Sequence, residues 1–200
     1  MNKAKYIFSF GMMVMLASCT QPADSAAGNM AAGDADNWVD MSGSFDGWRQ
    51  LGSANWRIEN GEFVADSGNG HLVTERDYDD FQIQLEFWAD EGANSGVFYR
   101  ISNPDAVADS SAYEANIFDT RPDQSGRTGG IVNFAAPVVL INTPGRWNTY
   151  DITANGTSFK IKLNGVTTVV LEDDTYDSGP ISLQYGSGLV KFRNVRIREL

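Results

Sequence analysis

The segment Tyr113-Glu114-Ala115-Asn116-Ile117-Phe118-Asp119 carries the side chains best suited to chemistry. In an extended chain Glu114 and Asn116 share one face, while Tyr113, Ala115 and Ile117 share the other. A polar pair so placed faces either solvent or a cleft, and periodicity alone leaves both open. In a cleft, Glu114 is a base or a metal ligand and Asn116 a hydrogen-bonding amide. Upstream, Asn94-Ser95-Gly96-Val97-Phe98-Tyr99-Arg100 ends on an arginine set among apolar residues. Its guanidinium suits a carboxylate or a substrate oxygen.

The rest of the chain narrows the chemistry by what it lacks. His71 is the only histidine and Cys19 the only cysteine. A multi-histidine zinc centre is excluded, as is a Cys-His nucleophile if Cys19 is taken up by the lipid read at the N-terminus below, and a Ser-His-Asp triad would have to use His71. His71 follows Gly68-Asn69-Gly70 and reads as a surface residue at a strand start. No glycine-rich phosphate loop and no dinucleotide fingerprint occurs. Carboxylates, arginine, tyrosine, asparagine or an oxygen-ligated metal must therefore do any work. The run Glu172-Asp173-Asp174-Thr175-Tyr176-Asp177 mimics the acidic strand of laminarinase-type glucanases. Its sequel, Ser178-Gly179-Pro180, is turn chemistry, so these acids cannot alternate along one strand; an exposed acidic turn, with calcium as an option, is the reading.

The elements that position these groups are strands. From Trp38 onward no ten-residue window has a helical apolar period, whereas alternation with period two recurs. Phe81-Gln82-Ile83-Gln84-Leu85-Glu86-Phe87 is the clearest case. Asn60-Gly61 and Asn164-Gly165 lie between such runs and predict two-residue hairpin turns. Further strands are expected at 95–101, 112–118, 130–134, 147–154, 180–185 and 189–198. About a dozen short strands with turn signals make an all-β, two-sheet sandwich.

The N-terminus sets expectations about location. Lys3 and Lys5 precede an apolar stretch from Tyr6 to Leu16, too short for a mature membrane span, and Leu16-Ala17-Ser18-Cys19 is a lipoprotein-type processing site. Residues 1–18 are read as a signal peptide, Cys19 as the lipidated residue, 19–37 as a flexible tether and 38–200 as the folded domain. Lipidation also accounts for the odd cysteine. Thr20 rather than Asp after Cys19 points to the outer membrane, facing the periplasm. The net charge of −11 becomes two units more negative once the leader is removed, so nucleic acid is not a partner and the membrane is reached through lipid alone.

Read in order, SFDGWRQLG, NWRIENGEFVADSG, HLVTERDYDDFQIQLEF, NSGVFYR, YEANIFD, RTGGIVNF, GRWNTYDI, LNGV and ISLQYGSGLVKFRNVRIREL resemble the 3-keto-disaccharide hydrolase domain family over residues 38–200. The resemblance implies a concanavalin A-like jelly roll and cleavage of glycosides already oxidised to a ketone at sugar carbon 3. That ketone acidifies the carbon 2 hydrogen, so a base can expel the glycosidic oxygen by elimination, and water then adds to the alkene. By this resemblance Glu114 is the base or a metal ligand, Arg100 the oxyanion stabiliser, and Asp119 an orienting group or metal ligand. Asn94, Asn116, Gln184 and Tyr185 are then substrate-binding residues. A hard divalent cation, Mg²⁺, Ca²⁺ or Mn²⁺, is the possible cofactor, with Glu114 and Asp119 as its ligands. Family members commonly carry His soon after the Leu-Gln pair where this chain reads Leu183-Gln184-Tyr185-Gly186, so Tyr185 would replace it, and Asn116 stands where Gln is common. The rival expectation is a carbohydrate-binding jelly roll without catalysis. The implied pathway partner is a sugar 3-dehydrogenase that makes the ketone.

Overall fold

The computed structural model describes residues 37–200. The expected signal peptide, Cys19 and all of the tether except Asn37 lie outside the described residues. Thirteen strands are present among those described: β1 Val39–Asp40, β2 Trp48–Gly52, β3 Arg57–Glu59, β4 Glu62–Ala65, β5 Gly70–Tyr78, β6 Phe81–Ala89, β7 Asn94–Tyr99, β8 Tyr113–Ile117, β9 Trp147–Asn155, β10 Ser158–Leu163, β11 Val166–Glu172, β12 Gly179–Ser187 and β13 Val190–Glu199. They form two antiparallel sheets. An eight-stranded sheet runs β11-β10-β9-β6-β13-β4-β3, with β1 also on β13, and a five-stranded sheet runs β2-β5-β12-β7-β8.

Alternation explains why the sheets stack. In β6 every odd residue from Phe81 to Ala89 is buried and every even one half-exposed. The buried side chains meet Val97, Tyr99, Tyr113, Ala115, Leu183 and Tyr185 of the five-stranded sheet in one hydrophobic core. Aromatic rings fill its centre: Tyr113 lies 4.5 Å from Phe159 and 5.5 Å from Tyr99, centroid to centroid. Both expected hairpins form, with Asn60 and Gly61 at φ 53° and 81° and Asn164 and Gly165 at 52° and 79°.

The strand expected at 130–134 does not form. Ile131 makes only isolated bridges to Ala115 and Ala135, because the backbone turns back at once, with Phe134 N donating to Ile131 O and Asn133 at φ 67°. The segment still flanks β8, since Asn116 N donates to Gly130 O and Val132 N to Glu114 O. The acidic run beginning at Glu172 leaves β11 for a loop, as its turn residues require. There Asp173 Oδ1 accepts from Tyr113 Oη and Thr175 N, which engages it in holding the loop.

Leu85 is 2% exposed at the core face of β6. Leu85→Ala is expected to lower the unfolding free energy by about 2–5 kcal/mol through lost burial and the cavity left behind. Urea titration checks this; a loss below about 0.5 kcal/mol would show that the inter-sheet core does not carry the stability.

Candidate functional site

The outer face of the five-stranded sheet brings together four buried polar residues, His71, Ser182, Glu114 and Asn116. Its register sets two rows across the strands. One row is Arg49, Val73, Ser182, Phe98 and Glu114; the next is Leu51, His71, Gln184, Gly96 and Asn116. Residues directly opposite one another point to the same face, so these rows form one surface. Glu114, Asn116 and Gln184 are brought together on it. Asn94 reaches its margin, where its side chain lies over Gly186.

Glu114 is 6% exposed, and its carboxyl lies over Gly96: a Cβ at residue 96 would come within 2.7 Å of Oε1 and 3.0 Å of Cγ. Glycine is what lets a carboxyl settle against the neighbouring strand. Burial pushes the Glu114 pKa up to about 8, and nearby Asp109 adds to the rise while Arg121 opposes it. No donor among the described residues hydrogen-bonds this carboxyl. Folding thus raises the pKa from 4.5. The associated stability is complete below that value and is lost as pH rises through about 8, because the ionised form is the one that burial penalises.

Two buried amide oxygens accompany it. Asn116 is fully buried; its Nδ2 donates to Gly126 O, while Oδ1 has no partner. Gln184 Oε1 is likewise buried and unpaired. In register Gln184 and Asn116 stand on either side of Gly96, so both flank the position over which the Glu114 carboxyl lies. Unsatisfied buried acceptors are costly, and two of them flanking an acid form a surface that wants donors or a cation.

His71 is not the surface residue expected from its sequence context. It is 7% exposed and stands opposite Gln184 on the same face. Its Nδ1 lies 2.8 Å from Ser182 Oγ, and its ring meets Phe98 edge-on with centroids 5.3 Å apart. Burial lowers its pKa to about 4, so the ring is neutral at pH 7. The Ser182 contact occupies Nδ1 and leaves Nε2 for a ligand. Nothing local in the sequence marks this role; only the non-local pairing of β5 with β12 reveals it.

Three other expected residues have different surroundings. Alternation along β7 would continue Arg100 onto the site face, but its backbone is left-handed at φ 50° and sends the side chain elsewhere. There its guanidinium donates to Asp79 O at 3.0 and 3.1 Å, Gly156 O at 2.9 Å, Tyr176 O at 3.2 Å and Asp80 Oδ1 at 3.1 Å. It also lies 5.0 Å from the Phe159 ring centroid. Arg100 is a buried clamp for three loops and has no spare geometry for an oxyanion. Tyr185 shares the core face with Leu183, packs edge-on to Trp56 and donates to Gly188 O, which puts it on the opposite side of the sheet from Gln184. Asp119 accepts from the Thr128 and Thr143 hydroxyls and from Thr143 N, which ties two loops together and leaves little of the carboxylate for a metal.

Arg121, by contrast, was not expected and belongs beside the site. Its guanidinium packs on Gly126, whose carbonyl holds Asn116, and its charge bears on Glu114. A strap over residues 101–112 borders the other side: Val107 packs on Phe98, and Arg49 grips Pro104 O at 2.9 Å and Asp105 at 3.2 Å. Among the described residues no three His, Cys, Asp or Glu side chains converge on a metal position.

Arg100→Ala should destabilise the domain by roughly 3–5 kcal/mol, because it strands buried carbonyls and a carboxylate that the guanidinium now satisfies. Urea titration checks it; a change within about 0.5 kcal/mol would remove the clamp assignment and return Arg100 to consideration as a site residue.

Solved structures with this architecture bind or act on sugars under their own descriptions. A candidate glycosyl hydrolase of Parabacteroides distasonis superposes with a TM-score of 0.71 at 21% identity, over 82% of this chain and 100% of that one. The carbohydrate-binding module CBM66 of Bacillus subtilis gives 0.62 at 18% identity, over 76% and 96%. The VIP36 exoplasmic/lumenal domain, in a Ca²⁺- and mannose-bound form, gives 0.56 at 8% identity, over 77% and 83%. At these identities the likeness establishes the jelly-roll fold alone. A comparison with curated proteins finds no match. Residues 37–198 match the 3-keto-alpha-glucoside-1,2-lyase-like domain, and the chain belongs to that family.

Proposed function

We propose that the outer face of the five-stranded sheet cleaves 3-keto-glycosides or 3-keto-disaccharides by elimination, with hydration of the resulting alkene. The observation that carries this reading is the buried Glu114 carboxyl over Gly96, flanked by the unpaired oxygens of Asn116 and Gln184. Sugar hydroxyls are donors and would satisfy those amide oxygens. With a pKa near 8, Glu114 is a far stronger base when ionised than an ordinary carboxylate, yet still ionises in part at neutral pH.

The work divides as follows. Glu114 removes the carbon 2 proton and the electron pair passes into an enolate delocalised onto the carbon 3 oxygen; the carbon 1–oxygen bond then breaks, the departing oxygen takes the proton back from Glu114 to leave as the alcohol, and water adds to the alkene with its hydroxyl on carbon 1 and its proton on carbon 2. Neutral His71, with Ser182 donating to Nδ1 and Nε2 carrying the proton, supplies a hydrogen bond to the enolate oxygen, taking the role first assigned to Arg100. Arg121 adds positive potential without pairing Glu114 directly. No pair of glycosidase carboxylates is needed, because no oxocarbenium ion forms.

A second reading rests on the same three oxygens. One carboxylate and two amide oxygens are hard donors of the kind Mg²⁺, Ca²⁺ or Mn²⁺ accept, and a cation there would hold Glu114 ionised. Glu114, Asn116 and Gln184 would hold it, and it would supply charge for an enolate.

Glu114→Gln should reduce release of the aglycone from a 3-keto-glucoside by about 10²–10⁴-fold, with wild-type kcat/KM rising with pH toward a plateau above about pH 8. Chelator leaves the rate unchanged if Glu114 acts alone and abolishes it if a cation is held there. Sugar binding without release from any keto-substrate would make the protein a binding module. An unchanged Glu114→Gln rate would move the site elsewhere.

The chain's place in the cell follows from its N-terminus as a proposal. Cys19, lipidated, would hold the domain at the outer membrane facing the periplasm, downstream of a sugar 3-dehydrogenase. Cys19→Ser is expected to leave the membrane fraction; its recovery there at wild-type levels with the leader removed would refute lipidation.

A further inference from the structure

The outer face of the eight-stranded sheet, on the opposite side of the sandwich, is a second functional surface, and we propose that it binds an acidic polysaccharide chain. The described domain is part of a chain with net charge −11, yet four cations gather here without a carboxylate partner. The register sets them in two rows: Lys160, Thr153, Gln82, Arg198 and Lys162, Asp151, Gln84, Arg196, across β10, β9, β6 and β13. Among the described residues none of the four cations comes within ion-pair distance of an acid.

Asp40, Glu86 and Asp151 line the same groove; Glu86 is paired with a cation and the other two are held by neutral donors, so the four unpaired cations face two uncompensated carboxylates. Asp151 accepts from the Gln82 and Gln84 amides at 2.6 and 3.0 Å. Glu86 accepts from Arg193 and Asn194, both at 2.8 Å, and Asp40 Oδ1 accepts from Ser42 N at 2.9 Å. Arg196 and Arg198 each grip a neutral amide oxygen, Gln84 Oε1 and Gln82 Oε1, through Nε and one terminal nitrogen. Their planes are thereby fixed, with charge left over for an anion.

Shape and aromatic content select the occupant. An open groove of about 770 Å³ runs between Trp38, Gln84, Asp151, Lys162 and Arg196. Arg196 and Arg198 lie 4.7 and 4.9 Å from the Trp38 ring centroid, so the indole forms one wall beside the cations. A linear chain of sugar rings bearing carboxylates meets both features, its acid groups on the cations and its ring faces on the indole. A groove fits such a polymer better than it fits a flat lipid surface, and a polyuronate, with charges spaced more widely than the one per about 1.7 Å of a nucleic-acid duplex, is repelled less by an acidic protein.

The test is retention of the full chain carrying Cys19→Ser, in buffer without detergent, on immobilised polygalacturonate, with dextran as the uncharged control and phosphatidylglycerol vesicles as the lipid arm. Retention on polygalacturonate but not dextran is expected, weakening with salt and falling at least about tenfold in Lys160→Gln/Lys162→Gln. Both lysines project from the sheet away from the core, and thermal unfolding confirms that the variant is folded. Arg196→Gln gives a second measure from the other side of the groove. Equal retention of the variants, or none by the Cys19→Ser parent, overturns the proposal. So does variant-sensitive binding confined to the vesicles, which would assign the face to a lipid surface instead.

Discussion

The account of the site depends on one close approach: the Glu114 carboxyl lying against the backbone of β7 at Gly96. Any side chain at residue 96 would force that carboxyl away, toward solvent or the strap. Because it is held in, it loses water without gaining a donor, and the missing solvation raises its affinity for a proton. The same dry surface keeps His71 neutral and leaves the Asn116 and Gln184 oxygens unpaired. A fold optimised for stability alone would satisfy or remove these groups, which is why the proposed site is placed on this face.

The sandwich makes that arrangement affordable by separating the two jobs of each strand. In β8, Tyr113, Ala115 and Ile117 enter the core while Glu114 and Asn116 lie on the outer face of the sheet; in β12, Leu183 and Tyr185 do the first and Ser182 and Gln184 the second. The loops are held by buried polar clamps set away from the chemistry. Arg100 secures the turns at Asp79, Gly156 and Tyr176, and Asp119 joins the segments at Thr128 and Thr143. Tyr150 adds a third clamp, its hydroxyl reaching Asn116 O and receiving Gly129 N.

Local physics was readable in the chain. Alternation placed β6, and the Asn-Gly pairs placed two hairpins, because each depends on neighbours in sequence. That Glu114 and Asn116 share the face opposite Tyr113, Ala115 and Ile117 was legible for the same reason. Arg100 was not, since a single left-handed residue reverses the face that counting predicts. The inward direction of Tyr185 is written in the alternation Ile181, Leu183, Tyr185, all three on the core face. His71 was beyond local reading: its meaning comes from standing opposite Gln184, more than a hundred residues away. The run at 130–134 looked like a strand because Ile131 and Val132 are apolar, whereas Asn133 turns the chain.

The most direct measurement is a carbon-detected NMR titration of the Glu114 side-chain carboxyl in the folded protein, without added metal. A midpoint near pH 8 is predicted, since burial against Gly96 opposes ionisation. A midpoint in the ordinary carboxylate range, near 4.5, would show a solvated acid and contradict the account.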